Sequence, residues 1–543
     1  MNLKSSSSLF KSDKIKKCFL FVYIAIVLFI TGIMICNLSI NEINHNYTPD
    51  SPMYCAVARG ILNGISPYSG LYENKPIGVF LLYALSFLLT DDVIIFNCIT
   101  FLCLLIIGFL PFVCTTKYLI KSNKPFSRSQ IVIYSGISLI CGLFLMSYSM
   151  DRGEFFQPEI LGASFICLYF WAIMHINWKK DEKANKKSLI IWTILAAIFA
   201  MCGVMMKEPF AVIAVAGGLL LVESVRDFIS RIVIPLCIGA VMAVFMLLFT
   251  GIMSDYINIY IYYMFNGHIS RLGSPFKRAL QIHNLFVDLS IHNPILLLII
   301  FSFTLLIILK IYKSKDKNIK SCIWQLCSLV ICIFLTSFCV GLGGQYFPHH
   351  YVFATPIYML LIIKGCEILS ELCRGKEAQI SIFTIIMVTI VFLNEVSLFK
   401  KPLLKSSKSF ATYHTSFYYQ ATFDAEYVDA LLDYYHENTY QYLGFNGRNS
   451  FYAFTKHSPK GPVFVQDSYN FEDENSWFSQ NLLKQLDEVN IIFMKNLDMP
   501  AINDKVKKIL DTEFTTEPKD KFTEMQPCDG FEVYTVYYRI GTH

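Results

Sequence analysis

From residue 19 to 394 the chain repeats one pattern, apolar runs of about 20 residues separated by short polar stretches. A helix needs about 20 apolar residues to cross roughly 30 Å of hydrocarbon. The runs at 18–38, 93–115, 129–150, 157–176, 189–206, 209–225, 232–250, 293–310, 322–340, 351–367 and 379–395 predict about eleven transmembrane helices. The run after Lys75, PIGVFLLYALSFLL, stops after 14 residues at Thr90 and Asp91. It is too short to span and reads as an interfacial or re-entrant helix. Beyond 395 the runs shorten and turn polar. AEYVDALLDYYHENTY and SWFSQNLLKQLDEV read as helices, and GFNGRNSFYAF, GPVFVQDSYNF, VNIIFMKNL and FEVYTVYYRI as strands. The expected division is a membrane domain over 1–395, with a first outer loop at 39–92, and a small α/β domain over 396–543.

Charge orients this pattern. Only 16% of the 543 residues are charged and 54% are hydrophobic, against about 25% charged in soluble domains. With a cytoplasmic N-terminus, the segments on that side hold 24 lysines and arginines, and the opposite segments, excluding the tail, hold seven. The positive-inside rule is met. Counting 77–90 as a span would move the basic stretch KYLIKSNKPFSR outside and spoil it. The tail is then extracytoplasmic, as are the Asp50–Lys75 loop, Asp151–Glu159, Lys207, the 251–292 loop and GGQYFPHHY. CFLFVYIAIVLFITGIMIC lacks a small-residue cleavage site and reads as a retained first helix. The 17 cysteines fall mostly in apolar runs and do not form a disulfide framework. The basic residues are membrane anchors, so nucleic acid is not an expected partner. Walker loops, dinucleotide fingerprints and metalloprotease motifs are missing from the sequence.

The outer face collects the candidate chemistry. Asp50 precedes Ser51-Pro52, and MYCAVARGILNG reads as a short helix ending near Gly64. Asp50 is either that helix's cap or a general base at the membrane surface. Lys75, in ENKPIG, either snorkels to headgroups or meets a lipid-borne phosphate. Arg59 either assists there or pairs with lipid. Asp151 lies in a turn between spans. Glu159 is followed directly by apolar sequence, where a carboxylate needs a partner. Lys207 and Glu208 link two spans and either pair with each other or turn Lys207 toward the site. Tyr346, His349 and His350, in GGQYFPHHYVFATP, are either interfacial anchors or contacts to sugar or phosphate. The two histidines are adjacent, with no third and fourth ligands at zinc spacing, so no metal is expected.

These residues resemble the GT-C integral-membrane glycosyltransferases that use polyprenyl-phosphate sugars, of the protein-mannosyltransferase and lipid A aminoarabinose-transferase type. The resemblance runs through Asp50, Tyr54 and Arg59 in DSPMYCAVAR, Gly64, Pro67 and Tyr68 in NGISPY, and Lys75-Pro76. It continues at Glu159, Lys207-Glu208-Pro209 and PHHYVFATP, and weakly into the tail. It implies a polytopic helical GT-C fold with extracytoplasmic interfacial helices, in the inner (cytoplasmic) membrane. It implies inverting sugar transfer from a polyprenyl-phosphate donor to a lipid, glycan or protein acceptor, with membrane lipids as surroundings. Asp50 would be the base. Lys75, Arg59 and Lys207 would meet the donor phosphate. Tyr54, Tyr68, Asp151, Glu159, Tyr346, His349 and His350 would contact substrate. Ser51 stands where relatives often carry a second acid, and Ile77 where Lys-Pro-Pro is usual. The first departure removes a paired-acid metal site, and no cofactor is expected. The alternatives are a transporter or lipid-linked glycan flippase, or an O-antigen polymerase or ligase. A transporter of inverted repeats would show matched halves, and none are evident in the sequence.

Overall fold

The computed structural model describes residues 13–43, 50–90, 93–122, 126–153, 157–176, 186–269, 274, 277–278, 280–292, 294–313, 319–342, 346–374, 376, 379–382, 384, 417–445, 449–498, 501–525 and 534–542. In the first part of the chain the helices are α1 (Asp13–Ile43), α2 (Ser51–Leu62), α3 (Ile77–Thr90), α4 (Ile94–Lys121), α5 (Arg128–Gly153), α6 (Pro158–Met174), α7 (Lys186–Met206) and α8 (Pro209–Leu219). They continue with α9 (Val225–Phe249), which contains one π turn, α10 (Ile282–His292), α11 (Pro294–Lys313), α12 (Ile319–Leu342) and α13 (Thr355–Leu372). A 3₁₀ helix, Pro348–Ala354, leads into α13. Two π stretches, Tyr256–Ile261 and Met264–Ile269, follow α9.

Eight helices among the described residues are long and apolar enough to cross a membrane. Three apolar helices are shorter: α3, α6 and α8. The expected span at 209–225 therefore resolves as an 11-residue helix, about 16 Å long. Its end is a tight turn in which the amides of Leu220 and Leu221 bond the carbonyls of Gly217 and Gly218, two weak helix formers in succession. Most of the expected span at 379–395 lies outside the described residues.

By its internal contacts the chain forms two compact units. The first comprises residues 1–43, 99–243 and 272–406, the second residues 44–98, 244–271 and 407–543. In the first unit, helices approach through small residues, as lipid-embedded helices must when apolar surface alone gives no driving force. A Cβ on Gly142 would run into the Gly108 carbonyl. Flanking this crossing, Thr115 and Ser138 share a hydrogen bond at 2.9 Å, and Thr116 donates to Ser135 at 2.8 Å. Tyr23 fills the space over Gly136 and donates to the Ile133 carbonyl at 2.8 Å.

The second unit joins residues 44–98 and 244–271 to the tail. The tail contains α14 (Phe417–Tyr434), β1 (Thr439–Gly444), β2 (Ser458–Pro459), α15 (Trp477–Glu488), β3 (Ile491–Asn496), α16 (Asn503–Glu513), β4 (Phe514–Thr515) and β5 (Thr535–Arg539). The sheet order is β2-β1-β3-β5-β4, with β1 parallel to β2 and β3, and β5 antiparallel to β3 and β4. Helices α14 and α15 and strands β3 and β5 fall where the hydrophobic pattern places them. Two expected strands do not form as such. In GFNGRNSFYAF, the residues from Ser450 to Ala453 form a 3₁₀ helix, and the strand lies just before, at TYQYLG. GPVFVQDSYNF runs without a ladder because buried glutamine amides take its place. Gln485 accepts from the Val463 amide at 2.9 Å and donates to the Lys460 carbonyl at 2.9 Å. Gln441 donates to Val463, and Gln466 to Tyr442. Against this domain, Tyr72 donates its amide to the Pro462 carbonyl, Asn63 donates to Ser458, and Tyr72 packs on Trp477 and Phe478.

Candidate active site

Asp50 stands at the N-cap of α2, with Pro52 in the first turn. Its backbone carbonyl accepts from the Met53 and Tyr54 amides, but its side chain makes no cap hydrogen bond. Its carboxylate sits in the positive field of the helix start without serving as the cap. Tyr54 lies four residues on, on the same helix face. It is fully buried against Phe80 and Tyr83. Over its ring, 5.6 Å from the centroid, sits the ammonium of Lys75, a cation–π arrangement.

Lys75 is 9% exposed. Its ammonium donates to Asn74 at 2.8 Å and lies 3.7 Å from Glu73. Its carbonyl accepts the Tyr68 hydroxyl at 3.0 Å. Tyr68 is fully buried and adopts φ +71°, a backbone region that bulky residues avoid. Its ring is wedged against Tyr260, Tyr256 and Phe80. Asp255 completes the clasp by accepting from Ser66 at 3.1 Å and from Ser69. Arg59 is placed otherwise: its guanidinium lies 4.0 Å over the Phe87 ring and reaches the Ala453 carbonyl at 3.5 Å.

The first unit carries its own polar cluster. Glu159, in the first turn of α6, is fully buried. Lys207 donates to its Oε1 at 2.7 Å, and His349 Nε2 lies 3.9 Å from the same oxygen. His349 and His350 are both nearly buried, with ring centroids 4.6 Å apart. Glu159, His349 and His350 are placed so that together they could hold a metal ion. Tyr346 has φ +49° and donates to the Arg278 carbonyl at 2.6 Å; burial raises its hydroxyl above the ordinary range. Asp151 is exposed, 3.5 Å from Arg152 and 3.9 Å from His292.

No protein-family model matches the chain, and no curated protein matches it by sequence. Solved structures do match. The crystal structure of ArnT from Cupriavidus metallidurans bound to undecaprenyl phosphate superposes with a TM-score of 0.51 at 11% identity, covering 96% of this chain and 98% of that one. The chain has the GT-C fold. Two structures of the Archaeoglobus fulgidus oligosaccharyltransferase overlap this GT-C chain more loosely, both with TM-scores of 0.42. One is a complex with zinc and sulfate, at 12% identity over 85% of this chain and 67% of that one. The other, AglB with an inhibitory peptide and a dolichol-phosphate, is 13% identical over 91% and 74%. With this fold and eight long apolar helices among the described residues, the protein is a multi-pass membrane protein.

Within the GT-C fold, the sequence candidates fall into two sets. Asp50, Tyr54, Tyr68 and Lys75 gather in the second unit, and Glu159, Lys207, His349 and His350 in the first. Lys207 pairs with Glu159 across the fold. Sequence reasoning missed Asp288. This buried carboxylate on α10 accepts from Tyr148 at 3.0 Å and faces Arg152 at 3.5 Å and His292 at 4.0 Å. Burial raises its carboxyl above the usual range. The polar repeat of IHNLFVDLSIH, with Asp288 four residues before His292, was the available signal. Asp255 left no such trace, because its partners lie almost 190 residues away.

Proposed function

We propose that the chain is a glycosyltransferase that moves a sugar, with inversion, from a polyprenyl-phosphate donor to an extracytoplasmic lipid, glycan or protein acceptor. One observation carries this reading. A single face of α2 presents the Asp50 carboxylate at its start and, one turn on, an aromatic ring with the Lys75 ammonium over it. The GT-C fold supports it, as does the undecaprenyl phosphate bound by the ArnT of Cupriavidus metallidurans.

In this scheme Asp50 takes the proton of the acceptor hydroxyl as its oxygen bonds to the anomeric carbon. The bond from that carbon to the phosphate oxygen breaks, and its electron pair leaves with the lipid phosphate. Lys75 meets the charge developing on that leaving group. No metal or organic cofactor enters the scheme. The protein would lie in the inner membrane with its N-terminus cytoplasmic and its tail outside.

The test is transfer from a labelled polyprenyl-phosphate sugar, with the chain reconstituted in liposomes and supplied with a lysate of acceptors. Asp50→Asn is expected to lower turnover by about 10²–10⁴, the usual worth of a general base, while donor binding persists. Lys75→Ala is expected to cost roughly 10²-fold and to weaken donor binding. Normal turnover by Asp50→Asn would refute the mechanism. Movement of the donor across the bilayer without sugar transfer would favour a flippase.

A further inference from the structure

The cluster around Glu159 holds more than an ion pair. Two adjacent histidines give a metal only two ligands, and the local sequence offers no third. The fold supplies it from 190 residues upstream (His349 to Glu159): the first turn of α6 lies against the 3₁₀ helix that carries the histidines. One ligand atom from each of Glu159, His349 and His350 lies within 4.8 Å of the others. An ion with bonds of about 2.0–2.2 Å would draw such atoms to roughly 3.4 Å apart, a closure within the reach of small side-chain rotations.

The surroundings suit a charged guest. Phe347 stacks on His349 at 5.5 Å, Phe353 stacks on His350 at 5.8 Å, and Phe210 meets Phe353 edge-on at 5.0 Å. Gly162, three residues after Glu159, leaves the space that the Phe210 ring occupies. These rings pack against the imidazoles and fix their planes, part of the usual work of the shell around a metal site. Lys207 already shows that the carboxylate draws a cation.

We propose that Glu159, His349 and His350 bind one zinc-class divalent ion, with a fourth position open. Two imidazoles and a carboxylate match zinc and not calcium or magnesium, which take oxygen ligands. The site is tested without any transfer reaction.

The experiment uses the full chain, purified in detergent with a tag free of histidine, stripped with a chelator and titrated with Zn²⁺, with Co²⁺ as a spectroscopic reporter. Expected are one ion per chain, visible cobalt bands without a thiolate charge-transfer band, and a rise in melting temperature on adding zinc. His350→Gln should weaken binding at least tenfold, and the double variant His349→Asn/His350→Gln should abolish both binding and the thermal shift. Lys207→Met should bind at least as tightly as the unaltered chain, because the competing cation on Glu159 is gone. Absence of binding by the unaltered chain, a thiolate band assigning the ion to cysteines, or undiminished binding by a folded double variant would each overturn the proposal.

Discussion

Tyr68 shows what a residue's place in a motif leaves unsaid. Its position in NGISPY was readable, and the resemblance implied a contact with substrate. In the fold it is fully buried, and its hydroxyl holds the backbone of Lys75. Neither its left-handed φ nor its ring contacts with Tyr256 and Tyr260 are local properties, so no window around Tyr68 could reveal them. Tyr68→Phe keeps the ring and leaves the Lys75 carbonyl without that bond. Melting of the variant in detergent should show a loss of about 1–2 kcal/mol, and the KM for donor should rise more than kcat falls. Glu159 was legible as a carboxylate in need of a partner, but which partners it would find was not. Lys207 is 48 residues away in sequence and His349 four times as far.

Among the helices, length and apolar content made most of the architecture legible. Those two properties alone separate the 14-residue α3 from the true spans. They failed at α8, where the apolar run continues through Leu219 but two glycines let the chain turn. Hydropathy also says nothing of how closely two helices pack, and the crossing of α4 and α5 depends on that. Gly142 touches the Gly108 backbone, so a side chain there must push the helices apart and stretch the Thr115–Ser138 and Thr116–Ser135 bonds. Gly142→Leu is expected to destabilise the first unit by about 1–3 kcal/mol, read as a lowered melting temperature, whereas Gly64→Ala meets open space and loses only through its positive φ.

For the whole molecule, the tail supplies a pH dependence. His457 lies 2.9 Å from Asp429 and 3.2 Å from Asp433. The Asp429 hydrogen bond holds its imidazole above the ordinary 6.5. A raised folded value means that its stabilisation is complete below 6.5 and is lost as pH rises through that value. Burial alone would raise Asp429. Hydrogen bonds from His457, Thr455 and the amides of Lys456 and His457 outweigh it and hold the carboxyl below 3.8. Its contribution is therefore present above 3.8 and is lost as pH falls through the lowered value. The melting temperature should be highest between these limits and decline on the alkaline side. His457→Gln should flatten that alkaline decline.

The make-up of the second unit has a consequence for biogenesis. The loop that bears Asp50 and Lys75 is translated well before Ser458, Pro462, Trp477 and Phe478, against which it packs and one pair of which, Asn63 and Ser458, is 395 residues apart. Contacts of such sequence separation close slowly. A nascent chain therefore carries an unfinished loop until those residues have been made. In detergent, chains halted before residue 440 should leave residues 50–90 open to an added protease, and chains that include the tail should close that window. A later-made segment would then decide when an earlier one becomes competent.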